Sequence, residues 1–529
     1  IHSQYDAVKE SERFIGQFEF KNTDLIIAIY PGLAYHLNYL FKNTNVKILV
    51  ITRNIDELIA LLQIVELPNT NNYAFIYYQS ENEIASKFEK VFDILFHNNV
   101  KYLILPTISK IYGDEIKKIL EICGACLDNA VGQALTISQF GEIFHNNVIN
   151  NFRYLCSAPG INTLKNKFAD MPAIIVSAGP SLDENIDELK KHKDKFIIIA
   201  VDTVYKKLLK SEIIPHFTIS IDPQNKSYYH FYDATLHNFF VTCMIASIKV
   251  VESIANKSFF FVSDYPLSLF FENLTEKKGN LSTGGGSVAT VALQFADYIG
   301  AKYIALIGQD LSFPYLKTHC AQTMYDNNIY AALNKFRTIE TENLQIIGNK
   351  ISVKGIKQKE VYTTHQLYEY WRWIRKYVNS SNPKKYFNCT YNNAYIDSIE
   401  HLELNEFVSH QDLQKINIKL DELQKIIKNH KPINYLNIIA ELENQLLRLK
   451  EIFKINRFRI KTLNELLGLA NQYYGTFELI KILVFSKAIK IMRQNTDISE
   501  NEKISIFMKI INESIDYSID LIKNLKKYG

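Results

Sequence analysis

Two short glycine-containing turns carry the residue types that hold phosphate. At 282–287 the chain reads STGGGS: Ser282, Thr283, then Gly284, Gly285 and Gly286, then Ser287. A helical pattern of Val288, Val291, Phe295 and Ile299 follows at once. Residues without Cβ let backbone N–H groups approach an anion, and neighbouring hydroxyls add donors. The first N–H groups of the helix are unpaired and lie at its positive end. At 177–181 the chain reads SAGPS, placing Ser177, Gly179, Pro180 and Ser181 between an apolar run and a helix expected from Leu182. Ser181 and Glu184 have capping-box spacing, so this turn reads equally well as a plain helix start. Neither turn continues as G-K-[ST], which argues against a Walker loop and its triphosphate. A phosphate monoester of a nucleotide is the better fit.

Three acids stand at the ends of apolar runs in the same part of the chain. They are Asp202 in IAVDTVY, Asp222 in TISIDPQ, and Asp310, beside Gln309, in YIALIGQDLSFPYLKTH, which runs on to His319. In open α/β sheets ligands bind outside the carboxyl ends of the strands, so these residues are expected to converge on one crevice. One such Asp reads as a helix cap; three read as a site. No metal site is assigned.

Strands are needed to carry these residues. From Asp24 to about Pro106 the runs LIIAIY (25–30), VKILVIT (46–52) and KYLILPT (101–107) alternate with helix-like stretches, the signature of parallel βαβ units. Gly32 sits at the first strand-to-helix turn without the further glycines of a dinucleotide fingerprint, so residues 1–158 read as a structural Rossmann-like domain. A second α/β pattern fills 159–400, with strands expected at 173–177, 196–201, 217–221, 258–262 and 303–307 and a closing strand or hairpin in YFNCTYNNAYID (386–397). Over 401–529 helical periodicity takes over: Leu436, Ile439, Leu442, Leu446, Leu449 and Phe453 form one stripe, and Met508, Ile511, Ile515, Ile519, Ile522 and Leu525 another. The expected fold is two Rossmann-like α/β domains followed by a C-terminal α-helical bundle.

Composition narrows the function classes. Of 529 residues 47% are hydrophobic and 22% charged, which places the chain among globular proteins. With 60 basic and 56 acidic residues the net charge of +4 creates no field to gather nucleic acid. The longest apolar runs, such as FIIIAV at 196–201, fall short of the roughly 18–20 residues that span a membrane. The start IHSQYDAVKE lacks a basic region followed by an apolar one, and the six cysteines are scattered, so the expectation is a cytoplasmic protein. Cys123 and Cys126 form a CxxC within the amphipathic stretch DEIKKILEICGAC, where packing is expected in place of redox or zinc chemistry.

The ordered set HSQYDAVKESER, PAIIVSAGPSLDENI, DTVYKKLLKSEIIPHFTISIDPQ, STGGGSVATVALQFADYIGAKYIALIGQDLSF, KTHCAQ and NCTYNNAYI resembles the motility accessory factor (Maf) family of flagellin glycosyltransferases over essentially the whole chain. The middle segment is in turn similar to bacterial sialyltransferases that use a CMP-sugar, in which a GNGPS turn and a glycine–serine turn enclose the nucleotide. Here Ala178 stands where those enzymes have asparagine, and Ser312 where they have tyrosine. The resemblance implies a CMP-activated nonulosonic acid, pseudaminic or legionaminic in type, as donor and flagellin Ser/Thr hydroxyls as acceptors, with no tightly bound cofactor. The nucleotide-sugar would rest on the SAGPS and STGGGS turns, Asp202, Asp222 and Gln309, with amides and hydroxyls stabilising the leaving phosphate. His319 would act as general base toward the acceptor hydroxyl, with Asp310 holding the adjacent loop or touching substrate; His216 and His365 are the next candidates. Two other functions stand beside this one: an ATP-dependent pterin pyrophosphokinase, because a related middle domain supports diphosphate transfer, and a non-catalytic flagellin-binding factor.

Overall fold

The computed structural model describes residues 6–528 apart from 21–22, 45, 68–71, 93–98, 326, 328–330, 332, 349, 382–384, 391–392, 398, 417, 419 and 495–498. Positions 391–392 of the expected closing hairpin, and the first residues of the HSQYDAVKESER stretch, therefore lie outside the described residues.

Continuous runs of Ile, Leu and Val with no polar alternation suit strands buried on both faces, and helices cover parallel sheets in that way. β1 (Leu25–Ile29), β2 (Lys47–Thr52), β3 (Tyr73–Tyr77) and β4 (Val100–Leu103) form an all-parallel sheet in the order β3-β2-β1-β4. β3 was not expected. Its YAFIY is only partly buried, as befits an edge strand, so it lacks the apolar run that marks β1 and β2. The run at 101–107 stops at Leu103 because Pro106 opens the helix Pro106–Ile111, where its missing N–H costs nothing.

The second sheet has eight parallel strands: β5 (Ala173–Val176), β6 (Ile197–Val201), β7 (Phe217–Ser220), β8 (Phe239–Thr242), β9 (Ser258–Phe260) and β10 (Ile304–Ile307), with two more after a hairpin. That hairpin pairs β11 (Ile351–Lys354) with β12 (Glu360–Thr363) antiparallel, apart from the sheet. β13 (Tyr386–Asn388) and β14 (Glu400–His401) complete the order β14-β13-β10-β5-β6-β7-β8-β9. The order reverses between β5 and β10, which makes the carboxyl ends of these two strands the topological switch point. β8 escaped the sequence reading because its FFVT begins an apolar stretch whose period does not separate strand from helix.

One face of this sheet, with Ile174, Val176, Ile198, Ala200, Ala305, Ile307 and Phe387, packs on Leu182, Leu189, Val204, Leu208 and Phe407. Burying one such large side chain contributes about 1.5–3 kcal/mol. The pattern holds the helix that follows SAGPS, Leu182–His192, flat against the strands.

The chain divides into two compact units that differ from the three expected segments. One comprises Ile1–Gly141 with Phe485–Ile498, the other Glu142–Val484 with Ser499–Gly529. Most of 401–529, which forms the expected C-terminal helices, thus groups in one compact unit with the eight-stranded sheet. The physical ties are local: Phe407 stacks on Phe196 at 6.1 Å, and the Ile433 N–H donates to the Cys156 carbonyl at 2.9 Å. Within this unit the helices Tyr435–Asn456 and Glu500–Lys526 carry the expected stripes, which are buried except at Leu436.

Cys123 and Cys126 lie in mid-helix and are buried in the core of the first sheet; burial pushes the Cys123 thiol up to about 12, so it is inert. Among the described residues, no helix is long and apolar enough to cross a membrane.

Candidate functional site

At the switch point the two strand ends are clamped together. The Gly179 N–H donates to the Gly308 carbonyl at 2.8 Å, and the Ser181 N–H donates to Asp310 Oδ2 at 3.0 Å. A Cβ on Gly179 would lie 2.1 Å from that same oxygen, so only glycine lets the carboxylate reach the turn. Asp310 therefore occupies the helix start that the sequence reading offered to a ligand. The expected capping box is not formed. Ser181 is in the αR region (φ −63°, ψ −15°), a conformation unlike that of an ordinary cap, and its side chain makes no cap hydrogen bond. What remains is a buried polar cluster in which Ser177 Oγ has no protein partner, while the Ser181 hydroxyl and N–H both act on the Asp310 carboxyl. Burial pushes the Asp310 carboxyl up to about 7, so near neutral pH it carries a proton about as often as not.

The glycine turn is braced by an acid that sequence reading missed. Asp264, beyond the end of β9, accepts from Ser282 Oγ (2.6 Å), Thr283 N–H (3.0 Å) and Thr283 Oγ1 (2.7 Å). Two of the hydroxyls expected to face a phosphate are thus already engaged. Ser287 Oγ caps the helix Val288–Tyr298 by accepting from Ala289 N–H at 3.3 Å. Left over are the N–H groups of Gly285, Ser287 and Val288, which make no hydrogen bond among the described residues. Gly286, at φ +69°, is the residue that needs glycine's left-handed freedom. Gly285 is required for a different reason: a Cβ there would sit 2.4 Å from Thr290 Oγ1.

The remaining strand-end residues line the same edge. Asp202 is buried and saturated, accepting from Ser220 Oγ at 2.8 Å and from the N–H of Thr203 at 2.8 Å. Asp222 accepts from Gln224 N–H at 2.8 Å, and burial raises its pKa, helped by nearby Asp202. Gln309 is fixed through its backbone, donating to Thr390 Oγ1 (3.2 Å) and accepting from Asn393 Nδ2 (3.2 Å).

His319 is brought to this edge by its neighbours. The Cys320 N–H donates to the Ala178 carbonyl at 2.9 Å, and the Ala321 N–H to Asp183 at 3.0 Å. Asp183 is itself held by the buried Lys207 at 2.5 Å. The KTHCAQ segment is thereby pinned to SAGPS. The His319 ring stacks on Tyr325 at 4.5 Å and 18°, and its Nδ1 is buried without a partner. Burial, reinforced by His230, pushes its pKa down to about 4, so the imidazole is neutral at physiological pH. No hydrogen bond joins it to Asp310.

Sequence reading also missed Tyr325, His230 and Tyr370, whose ring carbon would lie 3.1 Å from a Cβ on Gly286. It missed Asn147 and Asn151 as well. One helical turn apart, their amide nitrogens donate to the carbonyls of Pro223 and Ile245, and of Met244 and Ala246, at 2.8–3.0 Å. They fix the loops after β7 and β8; the only available signal was the polar pair at i, i+4 in HNNVINN.

The two reserve histidines lie elsewhere. His216 lines a cavity of about 390 Å³ with Lys193, Asp194, Ile198 and Lys415 at the amino-terminal edge of the strands, and its Nδ1 accepts the Ile198 N–H at 2.9 Å. His365 is exposed, at the start of the helix His365–Ser380. The cavity and the switch point are at opposite edges, and the chemistry-bearing residues are at the switch point. Among the described residues, no group of three or more His, Cys, Asp or Glu could hold a metal ion.

Residues 146–315 match the family described as 6-hydroxymethylpterin diphosphokinase MptE-like; the match includes both turns and the three acids and ends before His319. An uncharacterized protein of Treponema pallidum (strain Nichols) is 38% identical over 93 residues, which are 17% of this chain and 41% of that relative, so the chain spans less than half of the relative's length. The structure of the MAf glycosyltransferase from Magnetospirillum magneticum AMB-1 aligns over 98% of this chain and 84% of its own, with a TM-score of 0.61 and 13% identity. At that identity the likeness is one of architecture: this chain has the fold of a MAf glycosyltransferase.

Proposed function

We propose that this protein is a glycosyltransferase that moves a nonulosonic acid, pseudaminic or legionaminic in type, from its CMP-activated donor to Ser/Thr hydroxyls of flagellin, in support of flagellar assembly and motility. The observation that carries this reading is the buried polar cluster of Ser177, Ser181 and Asp310, with Ser177 Oγ unpartnered, at the switch point of a chain with the MAf fold. An unpaired buried polar atom costs about 1–3 kcal/mol, which a bound ligand recovers.

The roles follow from the geometry. The N–H groups of Gly285, Ser287 and Val288, at a helix start, are the donors left for the leaving phosphate as the sugar–phosphate bond breaks. Asp310 holds SAGPS through Oδ2, and when protonated it donates from the same carboxyl to a ligand oxygen. Neutral His319 takes the proton of the acceptor hydroxyl as the new bond to the anomeric carbon forms. The first unit and the C-terminal helices are then left to recognise a protein acceptor, and modification takes place in the cytoplasm before export. Intact-mass measurement of flagellin co-expressed with this protein and a CMP-nonulosonic acid pathway tests the whole reading; an unchanged flagellin mass refutes it.

The match of 146–315 to the diphosphokinase family favours a second reading, diphosphate transfer from ATP to a pterin alcohol. It fits less well, because neither turn has a Walker lysine. Calorimetry separates the two: CMP binding without magnesium supports the transferase, and tight MgATP binding with no response to CMP supports the kinase.

A further inference from the structure

His230 ends the short 3-10 helix Asn225–His230, which leaves the sheet just beyond Asp222. It is only 4% exposed, and its Nδ1 has no protein partner. Its ring lies 5.9 Å from that of Tyr325, at 50°, while the other side of the cluster is the stacked pair Tyr325–His319. Asp222 belongs to the same set, close enough that its charge is felt at Tyr325. A phenol, two imidazoles and a carboxylate thus share one wall of the crevice, brought there from segments that leave β7 and β10. Neither His230 nor Tyr325 belongs to a turn that would hold phosphate.

Such a set is suited to hydroxyl and amide groups, not to a phosphate. A neutral imidazole offers one donor and one acceptor, a carboxylate accepts, and aromatic faces cover C–H surfaces. The nearby carboxylates of Asp202 and Asp222 work against an anionic group at this wall. A buried imidazole nitrogen with no protein partner is costly to leave unpaired, and a ligand hydroxyl can pair with it.

We propose that His230 is a sugar-binding residue, which with Tyr325 and Asp222 forms the subsite for the hydroxyl-bearing body of the transferred sugar, separate from the nucleotide turns. This rests on the reading of the protein as a CMP-sugar-dependent transferase, and it adds the residue that makes the site discriminate a donor sugar from the bare nucleotide.

Calorimetry with two probes, CMP and CMP-N-acetylneuraminic acid, tests it on the full chain. In the parent protein the sugar nucleotide is expected to bind more tightly than CMP. His230→Ala should weaken CMP-N-acetylneuraminic acid by about tenfold while CMP affinity stays unchanged, and His230→Gln, which keeps a donor and an acceptor, should restore part of the loss. Equal losses for both probes would place His230 at the nucleotide, and no loss for either would make it a packing residue; each outcome overturns the proposal. If His230→Ala does not fold, as read by its melting transition, His230→Gln and Tyr325→Phe carry the same comparison. Failure of the parent protein to bind either probe would sink the transferase reading itself, and the subsite with it.

Discussion

Both parallel sheets reverse their strand order beside their first strand, and the carboxyl ends there are in opposite states. At the first, Tyr30 and Tyr78 share a hydrogen bond between their hydroxyls at 2.6 Å, Tyr78 reaches Glu115 at 3.1 Å, and Tyr112 stacks on Tyr30 at 5.0 Å. Gly32, the one glycine of its strand-to-helix turn, gives its N–H to Glu57 at 2.6 Å, and Glu57 also accepts from Thr52. Arg53 pairs with Glu115 at 2.8 Å. None of Tyr30, Thr52, Glu57, Tyr78 or Glu115 has an orphaned atom. At the second edge an acid also enters the turn, but Asp310 arrives from the far side of the switch point, engages Ser181 and leaves the buried Ser177 hydroxyl open. A glycine after a strand is therefore no site in itself. What matters is whether the fold fills the amides and hydroxyls around it.

The largest effect that separates the two edges is expected at His319. His319→Ala should lower single-turnover transfer by about 10²–10⁴ while CMP affinity and melting temperature hold. Transfer at the parent rate would remove the second edge's claim to the chemistry.

Asp310 comes next. Its folded-state pKa of about 7 lies above the ordinary carboxyl value, so its contribution to stability is full below about pH 4 and is lost as pH rises through 7. Asp310→Asn keeps an acceptor for the Ser181 N–H without the buried charge, and should stabilise the protein at pH 8 by up to about 4 kcal/mol. Thermal melts between pH 4 and 8 read the difference, which should vanish at the acid end. A variant no more stable at pH 8 than at pH 4 relative to the parent would show that the carboxyl is not the strained group of this edge.

Gly285→Val pushes a branched side chain into Thr290, an overpacking worth about 1–3 kcal/mol, and moves the amides left for phosphate. CMP affinity should fall sharply in a variant that still melts cooperatively. Unchanged affinity would reduce the triple glycine to a turn.

The smallest effect belongs to the first edge. Tyr78→Phe removes one hydroxyl from a closed network and should cost about 1 kcal/mol of stability with no change in CMP binding or transfer. Any loss of CMP affinity there would reverse the roles of the two sheets.

Much of this contrast was readable in local sequence. β1, β2, β5, β6, β7 and β10 announce themselves because strands buried on both faces leave unbroken apolar runs, and the acids and glycines at their ends mark where chain direction changes. β3 and β8 did not, one because it is only partly buried and the other because its FFVT runs on into a longer apolar stretch in which period does not separate strand from helix. The site was legible in its turns but not in its partners. Asp264 looks like any acid in a loop, and His230 like any histidine in an aromatic run, until the fold sets one against STGGGS and the other against Tyr325.

By itself, then, the sequence determined the elements, the flexible turns and the absence of a Walker lysine, because strand burial, backbone freedom and helix starts are settled within a few residues. Only the tertiary structure decided which amides remain free. Asp310 meets the Ser181 N–H across 129 residues of chain, and Asp264 meets Thr283 across 19. Those meetings depend on the order in which strands pair, and strand order leaves no trace in local periodicity, since every strand of a buried parallel sheet is apolar in the same way.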